Sequence, residues 1–195
     1  NKMQQQELIK HIEYSILEFG QKFVNKKYRY AFFGSEGSVK CYLYSLIARK
    51  NGFLEDIKYT TEENEKITTW HLHAELPTFE KINSKNGRFN ICVINPDKYE
   101  KDNVACIEIE WASNINNRIY SELKTTLDKL SNPKNEVENG YLIILNDNNG
   151  FTKKDIASLT KLKEQYSNVK FFIFDAVSDK SILASELIKN GKAQY

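Results

Sequence analysis

The chain has 195 residues, 41% of them apolar, enough to bury one good core and too few to require a second. A net charge of +2 excludes a chain-wide attraction to nucleic acid and leaves that role to a local patch. No apolar run reaches the length of a membrane span and no charged-then-apolar signal segment opens the chain, so a cytoplasmic protein with no membrane partner is expected. Cys41, Cys92 and Cys106 are odd in number, lie in apolar surroundings and lack CxxC spacing. They read as reduced core residues, not as a disulfide or zinc framework.

In chain order, Leu8, Ile12, Ile16, Phe19 and Phe23 recur at helical spacing and predict a first helix. The segment from Lys26 to Phe33 mixes cations with aromatics. A solvated basic turn over buried Phe32 and Phe33 is the commoner arrangement of that kind; phosphate contact by Lys26, Lys27 and Arg29 with base stacking is the functional one. Residues 1–34 thus form a helix and connector, expected to fold as one unit with residues 35–195. A second helix carries Val39, Leu43, Leu46 and Ile47 and stops at Asn51-Gly52, with Glu36 and Ser38 suited to its N-terminal turn. Four strands follow as a meander: Phe53 to Thr60, Ile67 to Leu76, Arg88 to Asn95 and Val104 to Trp111. An acidic loop from Thr61 to Lys66 and turn signals at Asn86-Gly87 and Asn95-Pro96 separate them. Ile115, Ile119, Leu123, Leu127 and Leu130 mark a helix ended by Asn132-Pro133. The apolar strand Tyr141 to Leu145, a helix with Ile156, Leu159, Leu162 and Tyr166, and the strand Val169 to Phe174 complete the order. Nearly all-apolar strands that each follow a helix are those reached by crossovers in a buried sheet.

Chemistry concentrates on two of these strands. Glu108 and Glu110 are two apart, so both carboxylates point to one side of an otherwise apolar strand. Like charges so placed repel, and their burial is costly unless a cation or a proton stands between them. A metal is the simplest such cation; a solvent-facing strand side is the plain alternative. His71, His73 and Glu75 share one face of a neighbouring strand, an arrangement that can hold a transition metal, although no third His lies near.

The order helix, three-strand meander, helix, strand resembles the core of the PD-(D/E)XK nuclease superfamily over roughly residues 35 to 145. The implied fold is α/β, with a restriction-endonuclease-like αβββαβ core, a mixed central sheet flanked by helices, an extra N-terminal helix and a C-terminal αβ extension. In that family an Asp on the second core strand and an acid-x-Lys on the third bind Mg²⁺ and position the attacking water. Asn90, in Arg88-Phe-Asn90, falls where the Asp is expected, and Glu108-Ile-Glu110 matches acid-x-Lys with Glu in place of Lys. Glu-x-Glu is used by some type II restriction enzymes, and plasmid replication-relaxation proteins carry an acid-x-acid strand of this kind.

The resemblance implies a Mg²⁺-dependent nuclease, with Mn²⁺ as a substitute and DNA as partner, alone or as a homodimer. Glu108 would be the central metal ligand, with Asn90, Glu75 and Glu110 completing the catalytic and metal set. A neutral amide at position 90 removes one negative charge from a hard-cation site. A carboxylate at position 110 cannot supply the positive charge of a Lys, which shifts that role to metal or to Arg118 and Lys124 on the following helix. Such a centre requires its carboxyl groups to converge within about 4 to 5 Å. The alternative is a catalytically inactive member of the same fold, acting as a DNA-binding or protein-interaction module, for example in plasmid replication or mobilisation.

Overall fold

The computed structural model describes residues 2–32, 35–50, 52–60, 64–82, 85–94, 103–177 and 180–183. Phe33, Asn51, residues 61–63 of the acidic loop and the Asn95-Pro96 signal lie outside them.

The first apolar stripe forms α1 (Lys2–Val24), which buries Ile12, Ile16, Phe19 and Phe23. A 3-10 turn (Lys26–Tyr28) and the short α2 (Arg29–Phe32) lead to α3 (Glu36–Ala48). Ser35 caps α3 by accepting the Ser38 N–H, and Val39, Leu43, Leu46 and Ile47 are its buried stripe. Next come β1 (Ile57–Thr60), β2 (Lys66–Thr69), β3 (Leu72–Ile82), β4 (Lys85–Ile94) and β5 (Asn103–Trp111). The chain continues through α4 (Asn117–Ser131), β6 (Gly140–Asn146), α5 (Lys153–Gln165), β7 (Val169–Asp175) and β8 (Lys180–Leu183).

The result is a mixed α/β architecture. Strands β3-β4-β5-β6-β7-β8 form one sheet in sequence order, parallel across β5-β6-β7 and antiparallel elsewhere. Helices α1 and α3 cover one face, meeting Ile107, Ile109, Ile143 and Phe172; α4 and α5 cover the other, meeting Cys106, Leu142, Ile144 and Ile173. Because the central parallel strands are covered on both faces, β6 is buried along its whole length, which accounts for its unbroken apolar sequence.

Several expectations are corrected. The strand expected from Ile67 to Leu76 is two strands in two sheets, β2 pairing only with β1. The chain turns at Trp70 and His71, where the Leu72 N–H goes to the Phe53 carbonyl and the Ile94 N–H to that of His71. Residues 52–56 form a turn, not the start of a strand, with Gly52 at φ +90°. Asn86-Gly87 lies within β4, because the β3–β4 pairing runs on to Ile82 opposite Lys85. Pro77 is tolerated inside β3 because β3 is an outer strand. Beyond β6, α5 and β7 extend the sheet in parallel, and β8 adds a further, antiparallel strand. Cys92 and Cys106 are buried as expected, whereas Cys41 is exposed on α3. Among the described residues no helix is long and apolar enough to cross a membrane.

The approach of α1 to the sheet depends on Gly20. A Cβ at this position would lie 1.9 Å from Cε1 of Phe174, a ring fixed in the core between Phe19 and Phe172. Gly20→Ala is expected to destabilise the fold by about 2 kcal/mol through overpacking. Urea denaturation of the variant beside the original chain measures this.

Candidate functional site

The acidic pair sits where the β4–β5 ladder ends. The last registered pair in that direction is Ile91 with Ile107. One residue further, side chains replace the backbone ladder: the Asn90 N–H donates to Glu108 Oε1 at 3.1 Å, and the Ile109 N–H donates to Asn90 Oδ1 at 2.7 Å. Alternation along β4 breaks at the same point. Ile91 packs on the α1/α3 side, yet Phe89, two residues away, packs on the α4/α5 side. On the next strand the residue opposite Asn90 is Glu75, flanked by the pairs Ala74–Ile91 and Leu76–Phe89. Its φ of +55° is left-handed, a conformation sparsely populated by residues other than glycine. Glu75, Asn90 and Glu108 therefore form one irregular row across three strands.

The cation beside the acids is a lysine. Lys129 Nζ lies 2.9 Å from Glu108 Oε2, with the two side chains only 12% and 4% exposed. The same ammonium donates to the Arg88 carbonyl at 2.8 Å and stands 5.6 Å from the centre of the Phe89 ring. One turn earlier on α4, the Thr126 hydroxyl donates to Glu110 Oε1 at 2.7 Å. Burial pushes the Glu108 carboxyl up to about 7, against the opposing pull of Lys129 and of the Asn90 N–H. Burial also raises Glu110, with the Thr126 hydrogen bond opposing.

Of the residues read as a catalytic and metal set, Asn90 and Glu108 are in direct contact, and Glu110 follows on the face that meets α4. Glu75 does not join them. Its carboxylate pairs with Lys40 of α3 at 2.6 Å, and Lys40 also reaches Glu36 at 3.1 Å. Glu75 and Glu108 are thus tied to helices on opposite sides of the sheet. The histidines are committed one by one: His73 Nε2 meets the Trp70 carbonyl at 2.8 Å beneath the stacked Trp70 ring, and His71 Nδ1 meets the Ile94 carbonyl at 3.1 Å. Among the described residues, no group of three or more His, Cys, Asp or Glu side chains is arranged to hold a metal ion. The arrangement as folded does not fit a resident Mg²⁺. Each Glu108 oxygen has a donor, the Asn90 oxygen is taken by a backbone N–H, and an ammonium already stands beside Glu108.

The cations expected to help lie elsewhere. Arg118 is 83% exposed and pairs with Glu122 at 2.8 Å, and Lys124 is exposed on the same helix. Lys26 and Lys27 are exposed on the 3-10 turn, with Lys27 beside the Tyr28 ring; Arg29 opens α2, and its side chain lies outside the described residues. Sequence reasoning missed Lys129 and Thr126. The available signal was helical phase: both flank the stripe of Leu123, Leu127 and Leu130, which must face the sheet.

In comparisons with protein-family models, with curated proteins and with solved structures, nothing matches the chain.

Two outcomes follow from this geometry. Lys129→Ala leaves a buried carboxylate without its cation and is expected to cost about 3 kcal/mol, much of it recovered in the Glu108→Gln, Lys129→Met double variant; urea denaturation of the set measures both. The pH dependence has a definite sign. A Glu in the unfolded chain titrates near about 4.3, whereas folded Glu108 holds its proton up to about 7, so unfolding releases a proton in that window. This contribution to stability is complete below the lower value and is lost as pH rises through the upper one. Glu108→Gln is expected to flatten that decline in a denaturation series across the same pH range.

Proposed function

We propose that the chain is a nuclease-like domain of the PD-(D/E)XK type that engages DNA, in a form whose acidic centre is held inactive by Lys129. The observation that carries this reading is the buried Glu108 carboxylate on the third meander strand, facing Asn90 across the point where the ladder opens. The resemblance expects an acidic centre at those positions. The element order α3, the β3-β4-β5 meander, α4 and β6 also supports it. DNA contact would fall to the exposed cations Arg118 and Lys124 on α4 and Lys26 and Lys27 after α1, joined by Arg29 at the start of α2. Their contribution would weaken with salt, as phosphate contacts do.

A specific observation favours the inactive form over a hydrolytic one. In a Mg²⁺- or Mn²⁺-dependent nuclease the charge near Glu108 would come from the metal; here an ammonium at 2.9 Å supplies it, and Glu75 is held by Lys40. The residues that would hold a metal in the hydrolytic form are Glu108, Glu110 and Asn90, with Glu75 released from its helix.

The test is fluorescence anisotropy with duplex and single-stranded DNA, run beside plasmid nicking in Mg²⁺ and in Mn²⁺. The chain as written, Asn90→Asp and Glu108→Ala are compared. Salt-sensitive DNA binding without nicking by the original chain is the expected result. Nicking abolished by Glu108→Ala would establish the hydrolytic form instead, and absence of both binding and nicking would overturn the nuclease-like reading.

A further inference from the structure

Cys92 and Cys106 are registered partners across β4 and β5, with sulfurs 2.9 Å apart and both residues sealed from solvent. The Cys106 N–H is directed away from β4, donating to the Asn139 carbonyl on the β6 side. The two cysteines therefore occupy a non-hydrogen-bonded position of the antiparallel ladder, where Cα atoms approach to about 4.5 Å and side chains are closest. That spacing falls inside the range of about 4.4 to 6.8 Å that a disulfide spans. Both side chains face the α4/α5 side, so no strand has to turn for the sulfurs to meet. The third cysteine, Cys41, is exposed on α3, across the sheet from the pair.

We propose that Cys92 and Cys106 are an oxidation site that a peroxide closes to a cross-strand disulfide. Two S–H bonds and the peroxide O–O bond break and one S–S bond forms. One thiolate first takes an oxygen from the peroxide to become a sulfenic acid. The second thiol then displaces that oxygen as water, so two electrons pass from sulfur to oxygen and two waters result when hydrogen peroxide is the oxidant. Both thiols are sealed from solvent, so the step proceeds through transient opening of the ladder and is slow beside oxidation of an exposed thiol. Once formed, the link lies two rows from the Asn90–Glu108 opening, beneath the last backbone pair, Ile91–Ile107. It fixes the strands at the base of that opening whatever the opening serves.

The test is prolonged incubation of the full chain with hydrogen peroxide, followed by catalase, denaturation, alkylation and non-reducing peptide mapping. Oxidation of exposed Cys41 is the internal sign that the oxidant acted. The expected result is a Cys92–Cys106 linked peptide that dithiothreitol separates. It persists in Cys41→Ser and is absent in Cys92→Ala and Cys106→Ala. The melting temperature of oxidised Cys41→Ser rises by on the order of 5 °C, because the link closes a short loop of chain. Two alkylatable thiols at positions 92 and 106 after Cys41 has been oxidised would overturn the proposal. So would a link joining either residue to Cys41.

Discussion

A carboxylate that loses its water must find its hydrogen bonds and its counter-charge inside the protein, and Glu108 finds them on three separate elements. It sits on β5, takes an N–H from β4, and meets an ammonium carried by α4. This sets more than local geometry. The Asn90 N–H turns to the carboxylate at the point where β4 leaves the backbone ladder. Because Lys129 must reach inward past Phe89, α4 is held at a defined height along β5, with Thr126 repeating the contact at Glu110. Removing either charge alone would leave the other stranded in a medium that solvates it poorly.

The same arrangement explains why charge pairing and metal coordination lead to different readings of one strand. Two acids on an apolar strand demand positive charge nearby, and a divalent ion and an ammonium both satisfy that demand. They differ in what they ask of the surroundings. A hard divalent ion needs several convergent oxygens, whereas an ammonium needs only a few acceptors within reach of a flexible stem. The Arg88 carbonyl and Glu108 meet the second requirement, while Glu75, held on the other side of the sheet, contributes nothing to the first.

How much of this was legible in the sequence follows from the range of each interaction. The stripes of α1, α3, α4 and α5 and the apolar β6 and β7 could be read directly, because periodicity is local and burial of one face enforces it. The acidic strand was legible too, since charges on an apolar strand stand out without any partner. The break at Trp70 and His71 was not. It depends on bonds to Phe53 and Ile94, far away in the chain, and no Gly or Pro between Ile67 and Leu76 marks a change of sheet. Lys129 was hidden for a related reason: many lysines lie on helices, and only its phase beside the stripe of Leu123, Leu127 and Leu130 distinguishes this one from Lys124, five residues earlier and exposed. Glu75 was misleading because alternation placed it with His71 and His73 on a strand expected to neighbour the acids, while its carboxylate pairs with Lys40 on the other side of the sheet.

That left-handed residue has a bearing on self-association. The outer side of β3 is a row of backbone groups that a strand from another molecule could pair with, the usual route by which sheets polymerise. Two residues beyond Glu75 stands Pro77, so the strand carries a left-handed residue and a proline within three positions, features that make an edge a poor pairing template. Growth of a continuous intermolecular sheet is interrupted there. Among the described strands, β3 is thus marked against extension of the sheet by a second molecule.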